Sequence, residues 1–358
     1  MPTKALAEFT QRLQFKNLPP DVVERTKDVV QDCIGLCLFV GRHTPWGRTI
    51  AQFAIDEGFG QGNATVIGYP KPTVPGKAAL ANGTFAYSYE YNDAIMACPS
   101  HVYPIIVPAA LAMAERQGSS GADLLASVVA GVEVHARVGM GVAPHARVTS
   151  TVGRGLCSSQ VYGAFGGAAT AARLLHLDAE KTAMAMGIAA DYAGGNFQGM
   201  AEGAWTRQWH SGVAAEGGIT AALLAQRGFV GPLRVLEGEQ NIYRSLALDY
   251  DPSGIVQGLG QSYQISDVWI KYYPVNGGWQ GGVQESRCHK RGDHDPQIGA
   301  EVLGQQASKT GRLRRGPGQQ QGLGAGLCGH ATGVTSERPP LATADHDRPD
   351  LPWHRIQL

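Results

Sequence analysis

Asp93 and His101 lie within the stretch NDAIMACPSHVYPIIVP, Asn92 to Pro108. A carboxylate and an imidazole on one loop between two helices can share proton-transfer work once the fold brings them into one cleft. The competing reading is structural. Asp caps turns through its own side chain, and a histidine fills a gap between helices, with no chemistry attached to either.

The elements around this loop are helical. GKAALANGTFAYSYEY forms a small-residue helix leading into it, and an apolar helix beginning near Pro104 and running through ALAMAE leads away. Upstream, residues 3–15 read as a helix, and Leu18-Pro19-Pro20-Asp21 is a start signal with Asp21 as N-cap for a helix ending at Gly41. Residues 46–58 give a further helix, and ATVIGYP, Ala64 to Pro70, is a strand or extended link. Downstream, Leu125, Val128, Val129 and Val132 repeat at i, i+3, i+4 and i+7 and predict an amphipathic helix over 121–140. Helices rich in Gly and Ala follow over 158–175 and 211–227, with a capped helix beginning at LDAEK between them. Helix follows helix, which predicts a mainly α fold: a large all-helical domain over residues 1–250. From Leu233 the texture changes, and QSYQISDVWIKYYPV, Gln261 to Val275, carries the β-branched and aromatic residues of a strand.

Composition narrows the functional classes. The chain has 358 residues, 43% hydrophobic and 17% charged, which suits a large buried core. Lys+Arg and Asp+Glu both number 30, so there is no basic footprint for nucleic acid. Balanced overall charge still leaves room for a local cationic pocket. No apolar run is long enough to span a bilayer, and the amphipathic start MPTKALAEFTQRLQF lacks a signal peptide's apolar core. The six cysteines show no framework spacing, and Cys33 and Cys37 lie one helical turn apart in an apolar helix. Buried free thiols in a reducing, cytoplasmic setting are the expectation.

Several blocks carry a resemblance. NGTFAYSYEYNDA (Asn82 to Ala94), then His101 with Pro108 and PAALAMAE, resembles the MmgE/PrpD family, which includes 2-methylcitrate dehydratase, cis-aconitate decarboxylase and iminodisuccinate epimerase. The resemblance runs from about Leu6 to about Val283. It implies that a partial α/β lid domain begins in 251–283, that the protein is a homodimer, and that no cofactor or metal is used. It also implies a small di- or tricarboxylate substrate. The long small-residue helices would suit the dimer interface.

The resemblance also assigns residues. GRGLCSSQVYGAFGG matches a family block whose catalytic histidine falls on Cys157, with Arg154 as a cation that could lower the thiol pKa. A buried inert thiol is the alternative there. AWTRQWHSGVAAEGG matches a block in which Arg207 takes the place of a lysine and His210 persists. Arg207 would bind a carboxylate bidentately without giving up a proton. His210, placed just before a helix start, would sit at the pocket edge. KYYPVNGGWQGG matches at Lys271, a substrate contact. Tyr87, Asn92, Asn276 and Gln280 stand where the family has other polar groups. The expected roles are thus His101 as base or acid with Asp93 orienting it, Cys157 as a second proton-transfer group, and Arg207, His210 and Lys271 around the substrate carboxylates.

The chemistry so implied is proton removal next to a carboxylate, with dehydration of a 2-methylcitrate-like acid as the first expectation. Epimerisation or decarboxylation of a related acid, or a non-catalytic dimeric relative with a degraded site, are the alternatives. Residues 284–358 form a low-complexity tail rich in Gly, Gln, Arg, His and Pro, expected to be largely disordered and to be a shifted reading frame or another non-native extension. Cys288, His289, His294, Cys328 and His330 fit no zinc-ligand spacing.

Overall fold

The computed structural model describes residues 1–142, 151–275 and 280. The tail at 284–358, its Cys and His residues, and Asn276 lie outside the described residues. In chain order the helices are α1 (Pro2–Arg12), α2 (Pro20–His43), α3 (Pro45–Asp56), α4 (Pro75–Ala86), α5 (Tyr103–Gln117), α6 (Gly121–Met140), α7 (Ser158–Leu174), α8 (Ala179–Ala189), α9 (Gln198–Glu202), α10 (Thr206–Gln226) and α11 (Ile242–Leu246). Two short antiparallel ladders accompany them. β1 (Ala64–Thr65) pairs with β2 (Pro72–Thr73), and β3 (Ala94–Ile95) pairs with β4 (Val268–Trp269). The fold is mainly helical, as the periodicity predicts.

α7 is the centre of the core. All of its side chains are buried, and α5, α6, α8 and α10 pack around it. Its Gly and Ala residues let neighbouring backbones approach closely: a Cβ placed on Gly166 would lie 2.8 Å from the Gly131 carbonyl oxygen of α6. The small-residue helices therefore serve packing inside one chain, and α7 presents no face for the dimer interface expected of it. α4, α5 and α10 meet the same way. A Cβ on Gly83 would sit 2.9 Å from both Gly212 Cα and the Pro104 carbonyl oxygen, which are backbone atoms unable to move aside alone. Gly83→Ala is therefore expected to cost about 1–3 kcal/mol through overpacking. A fall in urea midpoint with unchanged slope checks this.

Local chemistry corrects several helix ends. Pro20 occupies the first turn of α2 and Pro19 its N-cap, so Asp21 is a first-turn acid favoured by the helix dipole, not the cap. α10 begins at Thr206, earlier than its apolar pattern suggests, so His210 lies inside the helix rather than before it. The strand expected over 261–275 shrinks to β4, preceded by a 3₁₀ turn at Gln264–Asp267. β3 offers only two residues to pair with, which limits the ladder.

The segment after Asp251 is tied to the helical body. Arg137 donates from Nη1 to the carbonyls of Ile255 and Gln257 at 2.6 and 2.9 Å, and Glu133 accepts the Gln264 N–H at 2.8 Å. Arg25 donates to the Val268 carbonyl at 2.5 Å. These contacts, with the β3–β4 ladder, fix the chain just ahead of Lys271.

Candidate active site

Four elements converge on the Asp93 loop: the end of α4, the start of α7, the first turns of α10 and the residues after β4. Their side chains form a charged cluster with Glu90 at its hub. Glu90 pairs with Arg207 from α10, and Lys271 reaches its carboxylate at 3.4 Å and its main-chain carbonyl at 2.9 Å. Burial works against ionisation of Glu90, but Arg207 and Lys271 outweigh it and hold its carboxyl below the ordinary range. Burial draws Lys271 below the usual lysine value, and Glu90 counters it. Arg207 also lies over the Tyr87 ring, 4.9 Å from its centroid.

His101 stands beside this cluster, its ring 5.2 Å from Tyr87 in an edge-on arrangement. Its Nδ1 bonds the Asp93 carbonyl oxygen, which fixes Nδ1 as the protonated nitrogen and leaves the Nε2 lone pair free. Burial pushes the imidazole down to about 4, with Lys271 and Arg207 adding to the fall and the Asp93 carbonyl opposing it. The free protein thus holds a neutral imidazole with one open basic nitrogen.

Asp93 orients His101, but through its backbone. Its carboxylate points the other way and accepts the N–H groups of Val102 and Tyr103 at 3.0–3.1 Å, closing the N-terminus of α5. The expectation of a side-chain Asp–His pair is corrected on this point: the buried N–H donors at the start of α5, which have no partner within the helix, claim the carboxylate. Burial raises the Asp93 carboxyl from 3.8 to about 7, against the pull of those N–H groups. A folded value above the unfolded one means protonation favours the fold. This contribution is fully present below about 4 and is lost as pH rises through about 7. Urea stability is expected to be lower at about pH 8 than at about pH 5 from this source, and Asp93→Asn should flatten that limb.

Cys157 is the N-cap residue of α7, fully buried, and its N–H donates to the Gly195 carbonyl at 2.9 Å. Burial raises its pKa, so it stays a thiol despite nearby backbone N–H groups, Tyr87 and Arg207. Arg154 is exposed, and the cation beside the thiol is Arg207. A thiol so held can donate a proton but is a poor base near neutrality. His210, three residues along α10 from Arg207, is buried with Nδ1 unpartnered; burial and Arg207 lower its pKa. Gln280 clamps the backbone of Tyr273 and Val275, a structural task.

A buried polar chain backs the His101 loop. His135 Nε2 lies 2.8 Å from Ser100 Oγ, Ser100 donates onward to Ser159 Oγ at 3.4 Å, and Ser159 accepts the His101 N–H at 3.1 Å. On the outer side, rings run in series: Phe39 to Tyr89 at 5.6 Å, Tyr89 to Trp46 at 5.8 Å, and Trp46 to Trp205 at 5.9 Å.

The structure therefore brings Asp93, His101, Cys157, Arg207 and Lys271 to one locus, with His210 adjacent on α10. Sequence reasoning missed Glu90, Ser100, His135 and Ser159. The signal for Glu90 was a carboxylate within YEYND, just ahead of Asp93. Among the described residues no group of His, Cys, Asp and Glu has the arrangement of a metal site, and no helix is long and apolar enough to cross a membrane. What the locus offers is two cations, a neutral imidazole base and a thiol, a set suited to proton transfer on an anion.

The chain is 32% identical over 296 residues to the cis-aconitate decarboxylase-like protein oryM of Aspergillus oryzae, covering 79% of this chain and 60% of that protein. It is 29% identical over 294 residues to cis-aconitate decarboxylase of Aspergillus terreus, covering 79% and 59%, and 28% identical over 280 residues to that of Homo sapiens, covering 76% and 56%. The chain thus spans about three fifths of the length of these curated relatives. The MmgE/PrpD N-terminal domain matches residues 4–254, and with that match over most of its helical body the chain belongs to the MmgE/PrpD family.

Proposed function

We propose that this chain carries the proton-transfer site of a lyase acting on a small di- or tricarboxylate. The observation that supports it most is the neutral, tautomer-fixed His101 beside Arg207 and Lys271. The cations neutralise substrate carboxylates and the charge that develops at the adjacent carbon. His101 Nε2 takes or returns the carbon-bound proton, and the Cys157 thiol is a second donor. An anionic ligand would raise the His101 pKa from its low value and make it a stronger base in the complex than in the free protein.

The curated relatives compared above are named for decarboxylation of cis-aconitate. That reaction therefore ranks ahead of 2-methylcitrate dehydration, and epimerisation stands behind both. Pairing as a homodimer belongs to the same reading, and light scattering tests it. For the activity, the folded protein is incubated in D₂O with cis-aconitate, 2-methylcitrate, citrate and iminodisuccinate while carbon-bound protons are followed by NMR. Exchange or conversion supports the reading, and the product names the reaction. A folded sample that exchanges none of them sinks it and favours a non-catalytic relative.

A further inference from the structure

The cluster holds two cations and a single carboxylate in contact with both. Exposure within it is uneven. The Lys271 side chain is 1% exposed and Arg207 15%, whereas Glu90 is 32% exposed. Glu90 is thus the member of this ion-paired cluster most open to solvent.

Three features make its carboxylate removable. Tyr89 and Glu90 both have left-handed backbone, with φ of 58° and 54°, at non-glycine positions where that conformation is costly. That conformation persists where its surroundings hold it, and the Glu90 ion pairs are part of that hold. Lys271 keeps a second acceptor, the Glu90 carbonyl at 2.9 Å, and Arg207 keeps the Tyr87 ring, so neither cation is stranded when the carboxylate leaves. The charges that face Glu90 are Arg207, Lys271 and, when protonated, His101. With Glu90 in place the cluster carries one net positive charge, and without it two.

Resting on the carboxylate-binding reading above, we propose that Glu90 is a specificity-determining residue. Its side chain holds the place of one ligand carboxylate on Arg207 and Lys271, and an incoming acid must displace it. A tethered carboxylate competes at a high effective concentration, so a free monocarboxylate loses to it. An acid with several carboxylates can also offset the second positive charge left when Glu90 is displaced, and wins. The site thereby selects polycarboxylates by charge number before it selects by shape.

The test is calorimetric titration of the full chain, wild type, Glu90→Gln and Arg207→Gln, with citrate and with propionate. Glu90→Gln is expected to bind citrate about tenfold more tightly, the scale of one charge-assisted hydrogen bond. Propionate, expected to be undetectable on the wild type, should gain by at least the same factor. Arg207→Gln should abolish both. Wild-type citrate binding that Glu90→Gln leaves equal or weaker overturns the proposal while the carboxylate reading stands. No citrate binding by any variant sinks that reading and this proposal with it. Should Glu90→Gln fail to fold, the wild type still decides. Its Glu90 carboxyl-carbon resonance must shift on citrate saturation, and an unmoved resonance overturns the displacement.

Discussion

His101→Gln is expected to lower substrate turnover or proton exchange by about 10²–10⁴-fold, the usual worth of a positioned general base or acid. Glutamine preserves bulk and a polar tip, but it cannot take up a proton. The imidazole is prepared for that task by its surroundings. The Asp93 carbonyl fixes the proton on Nδ1, and the Ser159 hydroxyl holds the His101 backbone N–H. Burial and the two cations keep the ring neutral down to about pH 4 in the free protein. The acid limb of kcat/KM should therefore fall near that value, because kcat/KM reports the free enzyme. The limb of kcat should lie higher, because bound anions oppose the cations. Ligand affinity should survive the substitution, since Arg207 and Lys271 are untouched. A His101→Gln variant as active as wild type would show that another group moves the proton.

Arg137→Ala is expected to cost about 3–5 kcal/mol of stability, the range for breaking a buried ion pair by removing one partner. Arg137 Nε bonds Glu133 Oε1 at 2.6 Å, with side-chain exposures of 1% and 0%. Burial pushes the Glu133 carboxyl up, while the Gln264 N–H and Arg137 pull it back. Removing the guanidinium leaves a buried carboxylate unpaired and strips the carbonyls of Ile255 and Gln257 of their donor. Because those residues begin the path to β4 and Lys271, hydrogen exchange should quicken across 255–271 before the helices open. Citrate binding should weaken in parallel. A loss below about 1 kcal/mol, with exchange unchanged, would show that the pair is replaceable by packing.

The helices were legible where one physical signal dominated. The apolar period over 121–140 marks α6 to the residue, and Asp178 caps α8 as its position implies, accepting the Lys181 N–H at 2.7 Å. α10 was read short because its first turn, TRQWH, is polar and has no capping side chain. The Asp93–His101 pair was visible as residue types on one loop. The direction of the Asp93 carboxylate was not, because the unpaired donors of α5 decide it. Glu90 was hidden for a related reason. Its partners lie 117 and 181 residues away in sequence, and only the left-handed turn at 89–90 aims it at them.

The row of rings running from Phe39 through Tyr89 and Trp46 to Trp205 gives the site a built-in optical reporter. Tyr89 is bonded to Glu90, and Trp205 lies two residues from Arg207. A rearrangement of the 89–90 turn would move the phenol against Trp46 and change the surroundings of the indole. Intrinsic tryptophan emission should therefore follow ligand entry in real time without a label, and replacing Trp46 with Phe should silence most of that signal.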